Sequence, residues 1–284
     1  MALSGIQHFK TLLTTRLKNI YPEHEITQFS KLILQDVLNV TPTQLLLLND
    51  DCLKEDQATK LEEIIKRLAQ SEPLQYILGH TEFYDLVLNV SPAVLIPRSE
   101  TEELVHWILN DSQTNKSRIL DIGTGSGCIP LALKNNLPDS DVEAWDISDE
   151  ALQIARQNGK NLQLDVNFKK VDVLQCSSVN LPFTCIVSNP PYVRNLEKKL
   201  MEDNVLKHEP HLALFVEDND PLIFYRTIAQ LGKKALVNKG SLFFEINEYL
   251  EQEMTNLLKD MGYIDIECRK DLQGKARMMK ATLA

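Results

Sequence analysis

Apolar residues recur at helical spacing through the first quarter of the chain. Ile6, Phe9, Leu13 and Leu17 form one stripe, and Ile26, Phe29, Ile33 and Val37 form a second. Thr41-Pro42 reads as a cap followed by a first-turn proline, opening the segment TPTQLLLLND. A further stripe, Leu61, Ile64, Ile65 and Leu68, stops before Ser71-Glu72-Pro73, where the residue ahead of a proline is driven out of the helical region. Stripes of this kind pack into the core of a small bundle, so residues 1–75 are expected to form an all-helical domain. Over 76–98 the pattern changes to β-type alternation at Phe83, Leu86, Leu88 and Val90, then Val94-Leu95-Ile96-Pro97, which predicts a strand pair linking two domains.

From residue 99 to 284 strands and helices alternate. Candidate strands are Arg118–Ile122, Val142–Ile147, Val166–Val171, Thr184–Ser188, Ser241–Ile246, Tyr263–Cys268 and Ala276–Thr282. Between most of them lie helix-length segments, Glu100–Leu109, Cys128–Asn135, Asp149–Gly159, Pro221–Leu231 and Tyr249–Leu258. Such alternation builds an α/β domain around a mostly parallel, Rossmann-like sheet, here of seven strands. Only the short segment DLQGKA joins the last two strands, so they are expected to close the sheet as an antiparallel hairpin.

Composition narrows the class. With 284 residues, 43% hydrophobic and 25% charged, the chain is suited to one large and one small globular domain. No run of about 18 apolar residues occurs, so no membrane span is expected. The segment MALSGIQHFKTLLTTRLKNI sets Lys10, Arg16 and Lys18 among its apolar positions and has no signal-peptide cleavage pattern, which predicts a cytoplasmic protein. Cys52, Cys128, Cys176, Cys185 and Cys268 are scattered and never spaced as CxxC, and His208 and His211 lack a third ligand. Neither a disulfide framework nor a metal site is expected. The net charge is −10, and residues 1–75 hold 8 basic and 10 acidic side chains. Gripping a phosphate backbone needs a basic face, so long nucleic acid is disfavoured, and residues 1–75 are better suited to protein docking or to a lid. Nothing in the sequence demands more than a monomer.

The strand Arg118–Ile122 runs into Gly123-Thr124-Gly125-Ser126-Gly127 and then into the apolar helix CIPLALKNNL. Alternating glycines permit a tight turn and close approach of a ligand to the backbone. Asp146 ends the next strand about 20 residues on, where an acid can bind ribose hydroxyls. Asp172, followed by Val173, ends the third strand and is placed to meet an adenine amino group. Carboxylates at two successive strand ends suit a nucleoside without phosphates, such as S-adenosylmethionine, better than a pyrophosphate. A nicotinamide cofactor could use the same loop, and Asp146 could equally cap the helix that follows.

The strand Thr184–Ser188 ends in Asn189-Pro190-Pro191-Tyr192. Neither proline can donate to a ladder, so the backbone must leave the sheet there. The motif therefore lies at the carboxyl end of a strand, where open α/β sheets bind ligands. Asn-Pro-Pro-Tyr in this setting resembles the motif of methyltransferases that modify planar nitrogens, the adenine-N6 and glutamine-N5 enzymes. That resemblance implies that the Asn189 side-chain oxygen and the carbonyl of Pro190 accept hydrogen bonds from the target NH2. It also implies that Pro191 and Tyr192 help to hold the flat group, and that Asn189 borders S-adenosyl-L-methionine as well as substrate.

The whole chain resembles the release-factor glutamine methyltransferases. The resemblance is carried by Glu72-Pro73-Leu74-Gln75-Tyr76-Ile77-Leu78-Gly79 with Phe83-Tyr84, by Val94-Leu95-Ile96-Pro97-Arg98-Ser99-Glu100-Thr101-Glu102, and by Asp121 through Gly127 and Asn189 through Tyr192. His208-Glu209-Pro210 with Ala213-Leu214, Tyr225-Arg226, and Lys270-Asp271-Leu272 with Gly274 and Arg277 continue it. It implies methyl transfer to the glutamine of a Gly-Gly-Gln tripeptide in peptide-chain release factors. Because such a tripeptide must enter a deep site, the N-terminal helices and the stretch Asn195–Leu214 are candidates for gripping the factor. An adenine-N6 methyltransferase acting on nucleic acid is the alternative. Ser99, Asp85 and Asp220-Pro221 depart from the family pattern, and Arg98, Glu100 and Thr101 read equally as substrate-side residues or as a helix start.

Overall fold

The computed structural model describes residues 3, 5–48, 53–111, 117–176, 179 and 182–284. Cys52 lies outside the described residues. The chain forms two compact units, one of Met1–Gly79 with Glu202–His208, the other of His80–Met201 with Glu209–Ala284.

The first unit contains α1 (Ile6–Leu17), α2 (Glu23–Leu38), α3 (Pro42–Leu47), α4 (Glu55–Leu68) and α5 (Leu74–Leu78). Its core is made by the stripes read from sequence: Phe9, Leu13, Leu17, Ile33, Leu61 and Leu68 are fully buried, while Phe29 and Val37 pack at its margin. Thr41 caps α3 through a reciprocal pair, its hydroxyl accepting from Gln44 N at 3.3 Å and Gln44 Oε1 accepting from Thr41 N at 2.9 Å. Helix α3 leaves Leu46 and Leu47 in solvent, 85% and 78% exposed.

The second unit begins with a hairpin, β1 (His80–Phe83) and β2 (Leu86–Asn89). Tyr84 and Asp85 form its turn with φ of 47° and 64°, the left-handed pair that a two-residue hairpin turn needs, and glycine meets that need most easily. Two parts of the predicted β region differ. Residues 74–78 make the helical turn α5, and Val94-Leu95-Ile96-Pro97 belongs to no strand. Pro92 and Pro97 bracket that segment without N–H donors, and Ile96 N donates to the Glu209 carboxylate at 3.3 Å instead of to a ladder.

The remaining elements in order are α6 (Ser99–Leu109), β3 (Arg118–Ile122), α7 (Cys128–Asn136), β4 (Asp141–Asp146), α8 (Asp149–Leu162), β5 (Asn167–Lys170), β6 (Phe183–Ser188) and β7 (Val193–Arg194). A 3-10 helix (Asn195–Leu200), α9 (Asp203–His208), α10 (His211–Leu214) and β8 (Phe215–Val216) follow. The chain ends with α11 (Ile223–Ala235), β9 (Leu236–Glu245), α12 (Glu251–Asp260), β10 (Tyr263–Lys270) and β11 (Ala276–Leu283). Ser99 takes the first helical position of α6, where proline's fixed φ is equally at home.

Seven strands form one sheet in the order β10-β11-β9-β6-β3-β4-β5. The strands β9, β6, β3, β4 and β5 are parallel, and β11 and β10 complete the sheet antiparallel. Strand β9 starts five residues earlier than its apolar run predicts. Asn238-Lys239-Gly240 reads as a turn, yet Lys239 takes up φ 63° within the strand and the pairing with β6 skips there. One face of the sheet packs Leu120, Ile122, Ile186 and Phe244 against α11 and α12. The other packs Ile119, Val187 and Phe243 against α6 and α7. From β3 the chain steps outward to β4 and β5, then returns to β6 on the opposite side of β3. That reversal opens a crevice at the carboxyl ends of β3 and β6. Among the described residues no helix is long and apolar enough to cross a membrane.

Candidate active site

The loop leaving β3 turns through Gly123, Gly125 and Gly127, with φ of 79°, 55° and 82°, a region that costs other residues about 1–2 kcal/mol. Gly123 N and Thr124 N both donate to the Trp145 carbonyl, at 2.9 and 3.0 Å, so the end of β4 anchors the turn. A Cβ on Gly127 would stand 3.2 Å from Ala155 Cβ and from Leu131 Cδ1, whereas one on Gly125 would meet nothing within 4 Å. Gly127 therefore serves helix packing. A Cβ on Gly123 would lie in ordinary contact, 3.8 Å from the Asn189 carbonyl, so glycine there serves the positive φ of the turn.

Asp146 is held by this loop: Oδ2 accepts from Gly125 N and Oδ1 from Ser148 N, each at 2.9 Å. Burial raises its pKa and those backbone donors oppose the rise. Each oxygen keeps a lone pair for a further donor. Asp172 accepts from Leu174 N at 3.0 Å and from Gln175 Nε2 at 2.8 Å.

These groups line a cavity of about 380 Å³. Gly123, Thr124, Gly125, Ser126, Asp146, Asp172, Val173, Asn189, Pro190 and Pro191 all border it, while Gly127 does not. Ile122, Ile147, Val171 and Leu174 supply apolar wall, and Glu150 adds a third acid beside Asp146 and Asp172. Among the described residues the one cation on the wall is Arg98, whose NH2 group donates to Glu209 Oε1 at 2.5 Å. Beneath the loop, the Asp121 carboxylate and the Thr124 and Ser126 hydroxyls make no hydrogen bond of good geometry with the described residues. Burial pushes the Asp121 carboxyl up to about 7; Thr124 lies near enough to oppose that shift and Asp146 adds to it.

The second motif departs from β6 beside this cavity. Ser188 Oγ donates to the Ile122 carbonyl at 2.6 Å, tying β6 to β3 one residue before the chain leaves the sheet. Asn189 Nδ2 donates to Thr101 Oγ1 at 3.3 Å, so the Asn189 amide oxygen is the atom left to accept from a ligand. Asn189 also borders a smaller cavity of about 50 Å³, shared with Tyr192, Leu95, Arg98 and Glu245. Tyr192 lines this one and not the larger. Its hydroxyl donates to Glu245 Oε1 at 2.9 Å; burial and the Glu245 charge lift its pKa far above the ordinary value and keep it a neutral donor. Asn247 Nδ2 donates to the Tyr192 carbonyl at 3.1 Å and to Glu197 Oε2 at 2.9 Å, fixing the chain just past the motif.

Sequence reasoning left Thr101 open and passed over Glu245, which ends β9, and Asn247, two residues beyond it. The available signal was an acid standing in the otherwise apolar Ser-Leu-Phe-Phe-Glu-Ile, because such an acid is seldom buried without a partner.

Residues 101–213 match the family model of the Methyltransferase small domain, and residues 10–79 match that of the PrmC N-terminal domain. The chain is 44% identical to the release factor glutamine methyltransferase of Flavobacterium psychrophilum over 279 residues, 97% of this chain and 98% of that one. The chain belongs to the release factor glutamine methyltransferase family. The corresponding protein of Bacteroides thetaiotaomicron is 47% identical over 266 residues, 93% of this chain and 95% of the relative. A methyltransferase from Pyrococcus furiosus superposes with a TM-score of 0.51 at 16% identity, covering 69% of this chain and 88% of that structure. That likeness concerns the fold, the seven-stranded sheet with its C-terminal antiparallel hairpin. This release factor glutamine methyltransferase family member is accordingly a methyltransferase, with the glycine loop and the Asn-Pro-Pro-Tyr motif on adjacent strand ends.

Proposed function

We propose that this enzyme transfers a methyl group from S-adenosyl-L-methionine to the side-chain amide nitrogen, N5, of the glutamine in the Gly-Gly-Gln motif of peptide-chain release factors. The observation that carries the reading is the position of Asn189, which borders both the glycine-loop cavity and the smaller cavity beside Tyr192.

The residues present fit the cofactor. Among the described residues the larger cavity joins apolar wall to three carboxylates, and its one bordering cation is already paired. Such a wall suits a nucleoside and resists a pyrophosphate, which argues against a nicotinamide. Asp146 would hold the ribose, Asp172 and Val173 the base, and the 123–126 stretch the amino-acid end. When bound, S-adenosylmethionine supplies an electrophilic methyl group, so no metal or strong base is required of the protein.

An amide nitrogen is a weak nucleophile, and the protein's task is to orient it. The Asn189 oxygen and the Pro190 carbonyl accept from the target NH2, fixing its plane and shielding positive charge as it develops on nitrogen. Pro191 and Tyr192 flank the flat group.

Recognition of the whole factor falls to the helical unit, whose α3 carries the exposed Leu46 and Leu47. Changing both to Glu is expected to raise KM for an intact release factor about tenfold by removing apolar contact area. KM for a short Gly-Gly-Gln peptide is expected to stay unchanged; an equal rise for both substrates refutes this docking role.

The overall reading is tested with methyl-labelled S-adenosylmethionine offered to a recombinant release factor, to the same factor with Gly-Gly-Ala in place of Gly-Gly-Gln, and to duplex DNA. Label on the unaltered factor alone is expected. Label on DNA, or equal label on both factors, overturns it.

A further inference from the structure

The hydrogen bonds around Asn189 have a direction. Glu245 ends β9 and is 2% exposed; as a carboxylate it can only accept. Tyr192 donates to its Oε1 and Thr101 Oγ1 donates to its Oε2, the latter at 2.6 Å. A hydroxyl owns one proton. Having given it to Glu245, Thr101 has only lone pairs to offer Asn189, so the group facing it must be the amide NH2. The Asn189 oxygen is thereby turned away from Thr101.

We propose that Thr101 and Glu245 are positioning residues for methyl transfer: through the relay Asn189–Thr101–Glu245 they lock the Asn189 amide with its oxygen toward the target nitrogen. The inference rests on the reading of Asn189 as the acceptor of the target amide. If Glu245 did not hold the Thr101 proton, that hydroxyl could donate to the Asn189 oxygen. The amide could then flip and set NH2 against the target's own NH2, donor against donor. The carboxylate also ends a chain in which every bond points toward it. Hydrogen bonds in series polarise one another, so the Asn189 oxygen becomes a stronger acceptor as the attacked nitrogen gains positive charge. Tyr192 shares the same carboxylate, so one buried acid aligns both of the side chains read as facing the substrate. Burial raises the Glu245 pKa, and the two hydroxyl donors, Thr101 and Tyr192, together with the nearby Arg277 guanidinium oppose that rise.

Thr101→Val and Thr101→Ser separate this role from packing. Valine keeps the shape and loses the hydroxyl; serine keeps the hydroxyl and loses a methyl. A packing role ranks valine above serine, and the relay ranks serine above valine. For Thr101→Val we expect kcat to fall about 10–100-fold with KM for the factor and Kd for S-adenosylmethionine within about twofold. Thr101→Ser is expected to stay within about threefold of the unaltered enzyme. Unchanged kcat in the valine variant, or a serine variant slower than valine, overturns the relay.

A second measurement does not depend on the substrate. The side-chain amide resonances of Asn189, assigned by their loss in Asn189→Ala, are expected at the same shifts in unaltered and Thr101→Ser protein and displaced in Thr101→Val. Indifference of these resonances to both changes refutes the relay. If the unaltered enzyme fails to methylate a release factor, the proposed function falls and these resonances alone judge the geometry. Should Thr101→Val fail to fold, Glu245→Gln takes its place, with an expected loss in kcat of about tenfold and the same displaced resonances.

Discussion

At the end of β3 the chain is held by its own backbone. Gly123 N and Thr124 N bond the Trp145 carbonyl, Gly125 N bonds Asp146, and several side chains below the turn, Asp121 among them, have unused bonding capacity. At the end of β6, one strand away, the chain is held by side chains from distant elements: Thr101 on α6, Glu245 and Asn247 at and after the end of β9. There the buried polar groups are matched to one another. The backbone-built end leaves buried polar atoms unmatched by the described residues, whereas the side-chain-built end presents one acceptor, the Asn189 oxygen, whose orientation the proposed relay decides. In the proposed reading the cofactor is met at the first end by Asp146 and the loop residues that border the cavity, not by those buried atoms. A site that must orient a weak nucleophile needs the second, since freedom of the acceptor would be lost precision in the attack.

The largest expected effect breaks the second end. Asn189→Ala should lower kcat by about 10²–10³-fold, in the range for losing an oriented polar group at a reacting centre. Kd for S-adenosylmethionine, measured by calorimetry, should change far less than kcat, because Asn189 borders the larger cavity but the carboxylates proposed to hold the nucleoside lie at other strand ends. Loss of cofactor binding to the same degree would show that the two ends do not divide the work.

Asp121→Asn probes the unmatched first end. The folded protein holds the Asp121 proton more tightly than the unfolded chain, with a pKa of about 7 against 3.8. The resulting stability is fully present below about pH 4 and is lost as pH rises through about 7. The Asn variant keeps a neutral group throughout. It should therefore exceed the unaltered protein by about 2–3 kcal/mol at pH 8 in urea unfolding, and the gap should close on acidification. A pH-independent difference would contradict a buried carboxyl at this position.

Within the glycine loop, Gly127→Ala should cost about 2 kcal/mol, from left-handed strain together with contact against Ala155 and Leu131. Gly125→Ala, with the same strain and open space, should cost about 1 kcal/mol. Equal losses in unfolding experiments would mean that packing beneath Gly127 does not matter.

The same contrast explains what was legible in the sequence. A turn built from backbone writes itself locally: Gly123, Gly125 and Gly127 stand where φ is positive, Asp146 stands at the next strand end, and all are readable from spacing. Asn189 through Tyr192 was legible for a related reason, since two prolines after an apolar strand must leave the sheet. The helical stripes of α1, α2 and α4 and the alternation of strands with helices follow from periodicity, whereas the spatial order of the strands does not. What supports Asn189 is not local. Thr101 and Glu245 lie 144 positions apart and meet only because α6 packs on the face of β9. No spacing rule joins them, and Glu245 passed as one acid in an apolar strand. Val94–Pro97 misled for the opposite reason: it is a short apolar run with β-branched residues like a strand, but its flanking prolines and its bond to Glu209 give it a wall of the cavity to form.

The most direct test of the account is to locate the added methyl group. Release factor treated with the enzyme and S-adenosylmethionine is digested, and the peptide spanning Gly-Gly-Gln is fragmented by mass spectrometry. A single methyl on the glutamine side chain is the result expected, absent when Asn189→Ala enzyme is used. A methyl on another residue of the factor, or one that still appears on the glutamine at the same rate without the Asn189 side chain, would contradict it.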